Sequence, residues 1–241
     1  MNYKYINDDN FEDYASGRVI YHRTGMSNFP VRLACEILLR CLQYTDKKDI
    51  TLYDPCCGSS YMLTVLGLLN TEIIRTIFAS DISEDSISVS KCNLALLSED
   101  GLNTRKKQIQ QMILEHNKPS HIDALTSVNK FLNLVKSTDK KVNVNIFKTD
   151  ILAPNALMNN NFIADIVITD VPYGNLVSWS DNCNDAVNIL LENLFPVLSD
   201  RSVVAVIADK SQKINNEKYK RIEKFKAGKR QITILMIKNE E

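Results

Sequence analysis

The sequence lacks the features that mark membrane, secreted and zinc-binding proteins. Its 241 residues contain no apolar run of about 18 residues or more, so we expect no membrane-spanning helix. No apolar segment follows the first residues, which predicts a cytoplasmic protein without a secretory signal. The 6 cysteines have neither Cys-x-x-Cys nor Cys/His zinc spacing, and we therefore expect reduced thiols and no metal.

A surplus of basic charge and a glycine-rich nucleotide fingerprint are also missing. The 29 lysines and arginines balance 29 aspartates and glutamates, so a nucleic-acid site must be a local patch. None of the 7 glycines belongs to a GxGxxG sequence, which disfavours a nucleotide-dependent oxidoreductase. The length suits a single domain over residues 1–241, with an arm and a helix at 1–45.

Residues 50–69 are the stretch around which we interpret the rest of the chain. They predict a buried strand at 50–53, a turn of small polar residues, and an apolar helix from about Tyr61. In a doubly wound α/β sheet this succession brings backbone N–H groups and a helix N-terminus against a ligand. The acid Asp54 at the strand end repels a phosphate and attracts a cation, which favours a ligand with an amino group and a sulfonium.

Two further predicted strands end in acids that suit the same ligand. The strand at 76–80 leads to Asp81, where a carboxylate can bind a ribose diol, and to Ile82, which can pack on an adenine ring. The strand at 143–148 is followed by Asp150 and Ile151, which suit the amino group and the ring of adenine. A helix-capping role explains Asp150 equally well.

The predicted strand at 164–169 is apolar throughout, as expected of a central parallel strand, and it ends in Asp170-Val171-Pro172-Tyr173. A planar base nitrogen is a weak nucleophile because its lone pair is delocalised. The Asp170 carboxylate and a main-chain carbonyl near Pro172 can accept its N–H bonds and aim it at a methyl donor. The ring of Tyr173 can stack on the base, which is worth roughly 1–3 kcal/mol.

Two motifs carry a resemblance to a known family. DPCCGSS resembles the D-P-x-C-G-S-G motif of S-adenosylmethionine-dependent methyltransferases, and DVPYG resembles the (D/N)-P-P-Y signature of enzymes that methylate nitrogen. With the GRV and FPVRLA segments, ASDIS and the GKR hairpin, the chain is similar to the AviRa-like family of 23S ribosomal RNA methyltransferases. It departs from the motifs at Ser60, where a glycine is usual, and at Val171. If the Ser60 position requires positive φ, serine is strained there.

The resemblance implies a Rossmann-like class I methyltransferase fold of the α/β class. Its sheet has seven mostly parallel strands with an antiparallel last strand, and a helical insertion falls at about 100–138, either as a cover or as an RNA-contacting lid. It implies methylation of a guanosine nitrogen of 23S ribosomal RNA, free or in the large ribosomal subunit, and an association with antibiotic resistance. It implies that S-adenosyl-L-methionine is bound by Asp54, Pro55, Cys56, Gly58, Ser60, Asp81, Ile82, Asp150, Ile151 and Asp170, and that Asp170, Pro172 and Tyr173 are catalytic.

The RNA contacts are expected in three places. An N-terminal strip holds two arginines and a histidine, the loop after the DVPYG motif holds the single tryptophan, and residues 210–230 are strongly basic before a last strand at 231–238. A solvated surface, or a core position for the tryptophan, explains these residues equally well. The predicted RNA-binding residues are Arg18, His22, Arg23, Trp179, Lys210, Arg221, Lys229 and Arg230.

Two alternative functions remain open from the sequence. The (D/N)-P-P-Y signature also serves enzymes that methylate DNA or protein glutamine. Ser60 and Val171 are also consistent with an inactive module that binds RNA through its basic stretch. We expect a monomer without a membrane partner.

Overall fold

A seven-stranded sheet forms the centre of the part of the chain that the computed structural model describes, residues 3–15, 17–22, 28–172 and 185–238. The strands lie in the order β3-β2-β1-β4-β5-β7-β6. Their bounds are β1 Ile50–Asp54, β2 Ile74–Asp81, β3 Asn143–Lys148, β4 Ala164–Asp170, β5 Leu198–Asp209, β6 Tyr219–Ala227 and β7 Arg230–Ile237.

The direction of the strands determines where a ligand can bind. Strands β1 to β5 are parallel, whereas β7 runs antiparallel to both β5 and β6. Strand β1 lies between β2 and β4, so the chain reverses its direction of growth across the sheet at β1. The crevice outside the carboxyl ends of strands at such a switch point is the usual ligand site of open α/β sheets.

Six α-helices accompany the sheet in the described ranges. Three of them begin with recognisable signals: the Ser83 and Ser98 hydroxyls accept hydrogen bonds from the N–H groups of Ser86 and Gly101, and Pro119 occupies the first turn of its helix. The helices are α1 Val31–Cys41, α2 Tyr61–Leu69, α3 Glu84–Ala95, α4 Glu99–His116, α5 Pro119–Lys136 and α6 Ala186–Leu194.

Apolar side chains fill both faces of the sheet. On one face, Ile166 and Ile168 of β4 belong to a core that includes residues of α1 to α5. On the other face, Val167 of β4 belongs to a second core with Leu190 and Leu191 of α6. Strand β4 is therefore apolar throughout because both of its faces are buried, as its sequence predicts.

Arg105 anchors the helical insertion formed by α4 and α5 to the rest of the protein. Its guanidinium donates a hydrogen bond to the Val19 carbonyl at 2.8 Å and lies 4.2 Å from the centre of the Tyr21 ring. Arg105 is buried, so it is not available to contact RNA from a mobile lid. This favours the interpretation of the insertion as a cover.

The buried Glu36 holds the N-terminal arm against α1. Its carboxylate accepts hydrogen bonds from the backbone N–H groups of Lys4, Tyr5 and Ile6 at 2.8 to 3.1 Å, and from Arg40. Burial alone would raise the pKa of Glu36, but these donors outweigh burial and leave the pKa below its usual value. The arm is thus an ordered cover within its described residues.

The predicted fold class is confirmed, and the differences concern element boundaries. Strand β6 was not located from the sequence, because alternating lysines along it are typical of a solvated segment. Strand β5 begins four residues earlier than the predicted 202, and α6 covers 186–194 of the predicted 182–198, of which 182–184 lie outside the described residues. No helix in the described ranges is long and apolar enough to cross a membrane.

Candidate active site

Backbone N–H groups of the turn after β1 form hydrogen bonds that connect the turn to the end of β2. The Cys56 N–H donates to the Asp54 carboxylate at 3.0 Å, and the Cys57 N–H donates to the Ser80 carbonyl at 2.9 Å. The Gly58 N–H donates to the Asp81 carboxylate at 2.9 Å. Gly58 has a φ of +53°, and a Cβ built there would meet no atom within 4 Å. The turn is therefore rigid on its protein side and open on the other, where a ligand can approach its backbone.

Ser60 has the left-handed backbone that the motif's usual glycine would adopt freely. Its φ of 55° and ψ of 26° immediately precede α2, and such a conformation costs a non-glycine residue about 1 kcal/mol or more. The side chain is buried and shares a hydrogen bond with the Ser90 hydroxyl of α3. The condition under which serine is strained at this position is therefore met, and the bond to Ser90 offsets part of the strain.

Three carboxylates approach one another where β1, β2 and β4 end. Asp54 is only 3% exposed, and burial raises its pKa to about 7, to which the nearby charges of Asp170 and Asp81 contribute. The hydrogen bond from the Cys56 N–H acts in the opposite direction. The grouped acids make this end of the sheet electronegative, which suits a cationic ligand.

The ends of β2 and β3 present the side chains predicted to hold a nucleoside. Each Asp81 oxygen accepts one backbone N–H, from Gly58 and from Ser83, both at 2.9 Å. A carboxylate oxygen has a second lone pair, so both remain able to accept from a diol. Ile82 is 51% exposed, which is unusual for its size and leaves an apolar surface beside Asp81.

Asp150 and Ile151 lie in the turn after β3. The Asp150 carboxylate accepts the Leu152 N–H at 2.9 Å and so stabilises the turn, while Ile151 is buried in the core with α6. The neighbouring Thr149 N–H donates to the Asp81 carbonyl at 3.1 Å. The structure thus gives Asp150 a local capping role and also places it beside the end of β2.

Strand β4 delivers the second motif to the same edge of the sheet. The Val171 N–H donates to the Ile207 carbonyl at 3.0 Å, and the Pro172 carbonyl accepts a hydrogen bond from the Gln212 side chain at 3.2 Å. A carbonyl has two lone pairs, so that of Pro172 retains one. Gln212 was not predicted from the sequence. Tyr173, the predicted stacking residue, lies outside the described residues.

Arg230 is the residue of the site whose position differs most from the sequence prediction. Its guanidinium lies 3.9 Å from the Asp170 carboxylate and 5.2 Å from the centre of the Phe29 ring. The sequence suggested an RNA backbone contact in a solvated stretch. The structure instead places Arg230 at the start of β7, beside Asp170 of the DVPYG motif.

The other predicted RNA-binding residues separate into distinct places. Lys210 and Arg221 line one cleft of about 500 Å³ beside β6 and β7, together with Lys213, Lys224 and Lys238. Lys229 is exposed at the hairpin turn and His22 is exposed near the N-terminal arm. Arg23 and Trp179 lie outside the described residues.

Arg18 has an intramolecular role that the sequence did not reveal. Its guanidinium pairs with Glu12 at 3.1 Å, with Asp123 of α5 at 3.4 Å, and with Asp13 at 3.9 Å. These three carboxylates tie the N-terminal arm to the helical insertion. The structure therefore does not bring Arg18 to the cleft that holds Lys210 and Arg221.

The strand order and the acids at the ends of β1, β2 and β4 define the fold of the class I methyltransferases. A structure from Listeria monocytogenes assigned to the class I S-adenosylmethionine-dependent methyltransferases has a TM-score of 0.51 at 13% identity. That match covers 91% of this chain and 63% of the other. At this identity the likeness shows the fold alone.

The sequence comparisons identify the family. A family model described as the rRNA methyltransferase AviRa matches residues 1–230. A 23S rRNA (guanine(2535)-N(1))-methyltransferase from Streptomyces viridochromogenes is 34% identical over 227 residues, covering 92% of this chain and 90% of that protein. A solved structure of the rRNA methyltransferase AviRa from the same organism has a TM-score of 0.85 at 31% identity, covering 95% of this chain and 94% of that one. The chain belongs to the AviRa rRNA methyltransferase family, as its motifs predict.

Proposed function

We propose that this protein transfers a methyl group from S-adenosyl-L-methionine to a nitrogen of a guanine base in 23S ribosomal RNA. The observation that carries the proposal is the meeting of Asp54, Asp81 and Asp170 at the carboxyl ends of adjoining strands, which makes an electronegative site for a cationic ligand. The relative from Streptomyces viridochromogenes bears a name that specifies guanine N1 of 23S rRNA, which supports the substrate. An enzyme of ribosomal RNA would act in the cytoplasm.

The residues after β1, β2 and β3 suit the cofactor. Asp54 can pair with its ammonium group, and the turn that contains Gly58 leaves room for the backbone to approach it. Asp81 can accept from the ribose hydroxyls, while the exposed Ile82 offers a surface for the adenine ring. Asp150 is proposed to line the adenine side, whereas the side chain of Ile151 is buried in the core with α6. The bound sulfonium supplies the methyl group, and the electron pair of the broken S–C bond stays on sulfur.

Asp170 and the Pro172 carbonyl are the groups proposed to act on the base. Both are acceptors at the end of β4, and each can take an N–H hydrogen bond from the base and orient its nitrogen. Pro172 is held in place because its carbonyl also accepts from Gln212. Tyr173 and Trp179 remain predictions for stacking on a base that is turned out of the RNA, a step that costs a few kcal/mol.

The cleft beside β6 and β7 suits the RNA backbone. Five cations line it against one acid, Glu217, within about 500 Å³. Gln212 lies in the wall of this cleft and also bonds to Pro172, so the cleft adjoins the methyl-transfer site. We propose that Lys210 and Arg221 contact phosphates there, that Lys229 extends the surface, and that the protein acts on RNA as a monomer. A methyl group on a ribosomal base can also block an antibiotic, so resistance is an expected consequence.

A tritiated-methyl transfer assay tests the proposal. Unmodified 23S RNA, assembled large subunits, DNA and a protein mixture serve as substrates for the wild type and for Asp170→Ala. We expect label in RNA, lost by at least about 100-fold in the variant, as when a group that acts only in the transition state is removed. Label in DNA or protein alone would contradict the proposal. No label and no cofactor binding would favour an inactive RNA-binding module.

A further inference from the structure

The hairpin of β6 and β7 places an arginine, Arg230, beside the DVPYG motif. Arg230, the first residue of β7, pairs with Asp209 at the end of β5, while Asp170 at the end of β4 pairs with Ile207 of β5. Strand β5 therefore lies between the two and determines their separation. As a result the Arg230 guanidinium lies 3.9 Å from the Asp170 carboxylate, on the same edge of the sheet as the three converging carboxylates.

Arg230 is partly buried and packed, and is not a fully solvated surface charge. Its side chain is 27% exposed, and its guanidinium lies over the buried ring of Phe29. Its Nε is buried and has no hydrogen-bond partner among the described residues, and 3.9 Å is too long for a hydrogen bond to Asp170. A guanidinium carries five N–H donors, so the exposed part of the side chain can donate to an acceptor on a ligand.

We propose that Arg230 is a specificity residue that donates to O6 of the target guanine while Asp170 accepts from its N1–H. This inference rests on the proposed function and adds to it the way in which the base is read. Guanine presents an acceptor, O6, next to a donor, N1–H, which matches a guanidinium next to a carboxylate. Adenine and cytosine present an amino donor in place of that acceptor, so a cation there disfavours them.

The same pair also assists the proton transfer that methylation at N1 requires. Guanine N1 carries a proton, so its nitrogen becomes a nucleophile only when that proton leaves. The proton passes to the Asp170 carboxylate, and the electron pair of the N–H bond is shared between N1 and O6. N1 then bonds to the methyl group, and Asp170 releases its proton to solvent. Arg230 faces the charge that develops on O6, a preorganised stabilisation of the kind that accelerates acyl transfer.

Steady-state kinetics of Arg230→Ala across pH 6 to 9 test this proposal. At neutral pH, removal of a donor to a developing oxyanion lowers kcat by about 100-fold. The deficit should shrink as pH rises, because the base then loses its N1 proton without help. Arg230→Lys keeps the charge but loses the planar fork, so its kcat should lie between those of the wild type and Arg230→Ala. This conservative variant also keeps the test valid if the alanine variant folds poorly.

Arg201→Ala is the matched control, because Arg201 is an exposed arginine of β5 near the opposite edge of the sheet. It should leave kcat and its pH profile unchanged. A loss in Arg230→Ala that is confined to KM and equal at every pH would indicate a phosphate contact and overturn the inference. So would wild-type kcat in that variant. If the wild type itself does not methylate guanine in RNA, the proposed function fails first, and the inference fails with it.

Discussion

Asp54 provides the sharpest test of the electronegative site, because its ionisation opposes folding. Its pKa is raised from 3.8 to about 7 by burial and neighbouring carboxylates. Since the folded pKa exceeds the unfolded one, the contribution of Asp54 to stability is fully present below pH 3.8 and is lost as pH rises through 7. Above pH 7 the ionised group weakens the cofactor-free fold.

The size of the stability effect follows from the size of the shift in the pKa of Asp54. About three pKa units correspond to a penalty of about 4 kcal/mol in the free energy of unfolding. Asp54→Asn keeps the shape and the acceptor for the Cys56 N–H but leaves an amide in a buried place, which costs part of the gain. We therefore expect the variant to be more stable than the wild type by about 1–3 kcal/mol at pH 8.5, and equally stable or less stable at pH 5.

Urea unfolding at pH 5, 7 and 8.5 measures this difference, with Asp200→Asn as the exposed control. The wild type should be stabilised by added S-adenosylmethionine at pH 8.5, whereas Asp54→Asn should not, because the variant lacks the charge that pairs with the ammonium group. A variant that is less stable than the wild type at pH 8.5, or a difference independent of pH, would refute the reasoning.

Three further predictions concern the arm, the cleft and a helix junction. Glu36→Gln should lower the free energy of unfolding by about 3 kcal/mol because it leaves buried partners unpaired. In the wild type, the stabilisation that the ionised Glu36 contributes should be lost as pH falls below 4.5. Replacing Lys213 and Lys224 by alanine should reduce the salt dependence of RNA binding by about two in the slope of log K against log salt, measured by filter binding. Gly101→Ala should destabilise by about 2 kcal/mol or more in urea unfolding, since its Cβ would lie 2.0 Å from the Ala95 carbonyl oxygen.

Each of these predictions has a control in the same protein. Glu115→Gln changes an exposed acid of α4, and equal losses in it and Glu36→Gln would contradict the arm's role. Lys141→Ala changes an exposed lysine before β3, and an equal effect on the salt slope would mean that the cleft is not a phosphate site. A Cβ at Gly228 would meet no atom, but the residue has a φ of +60°, so Gly228→Ala should destabilise by about 1 kcal/mol. A greater destabilisation by Gly228→Ala than by Gly101→Ala would contradict the predicted clash.

The sequence was informative where local chemistry and local geometry coincide. Asp54, Asp81 and Asp170 each end an apolar strand, and parallel strands bring their carboxyl ends to one edge, so the positions of the acids follow from the pattern. The glycine that is usual at the position of Ser60 is likewise consistent with the left-handed backbone found there. These features depend on a few neighbouring residues and on one rule of sheet topology.

The sequence was least informative where the register between distant segments decides the role of a residue. Arg230 was assigned to the RNA backbone because it ends a basic stretch, but the pairing of β7 with β5 places it beside Asp170. Arg18 was assigned to an RNA-facing strip near the N-terminus, although its partner on α5, Asp123, lies more than 100 residues away in the chain. Neither contact can be inferred from charge alone, since both depend on long-range packing.

The measurement that tests the central claim most directly is the identity of the methylated nucleoside. Unmodified 23S RNA is incubated with the protein and S-adenosylmethionine carrying a carbon-13 methyl group, then digested and separated by mass spectrometry. We predict that the heavy methyl group appears on guanosine, at N1, and that it is absent after incubation with Asp170→Ala. A heavy methyl group on adenosine or cytidine, or on no nucleoside while the cofactor still binds, would contradict the account.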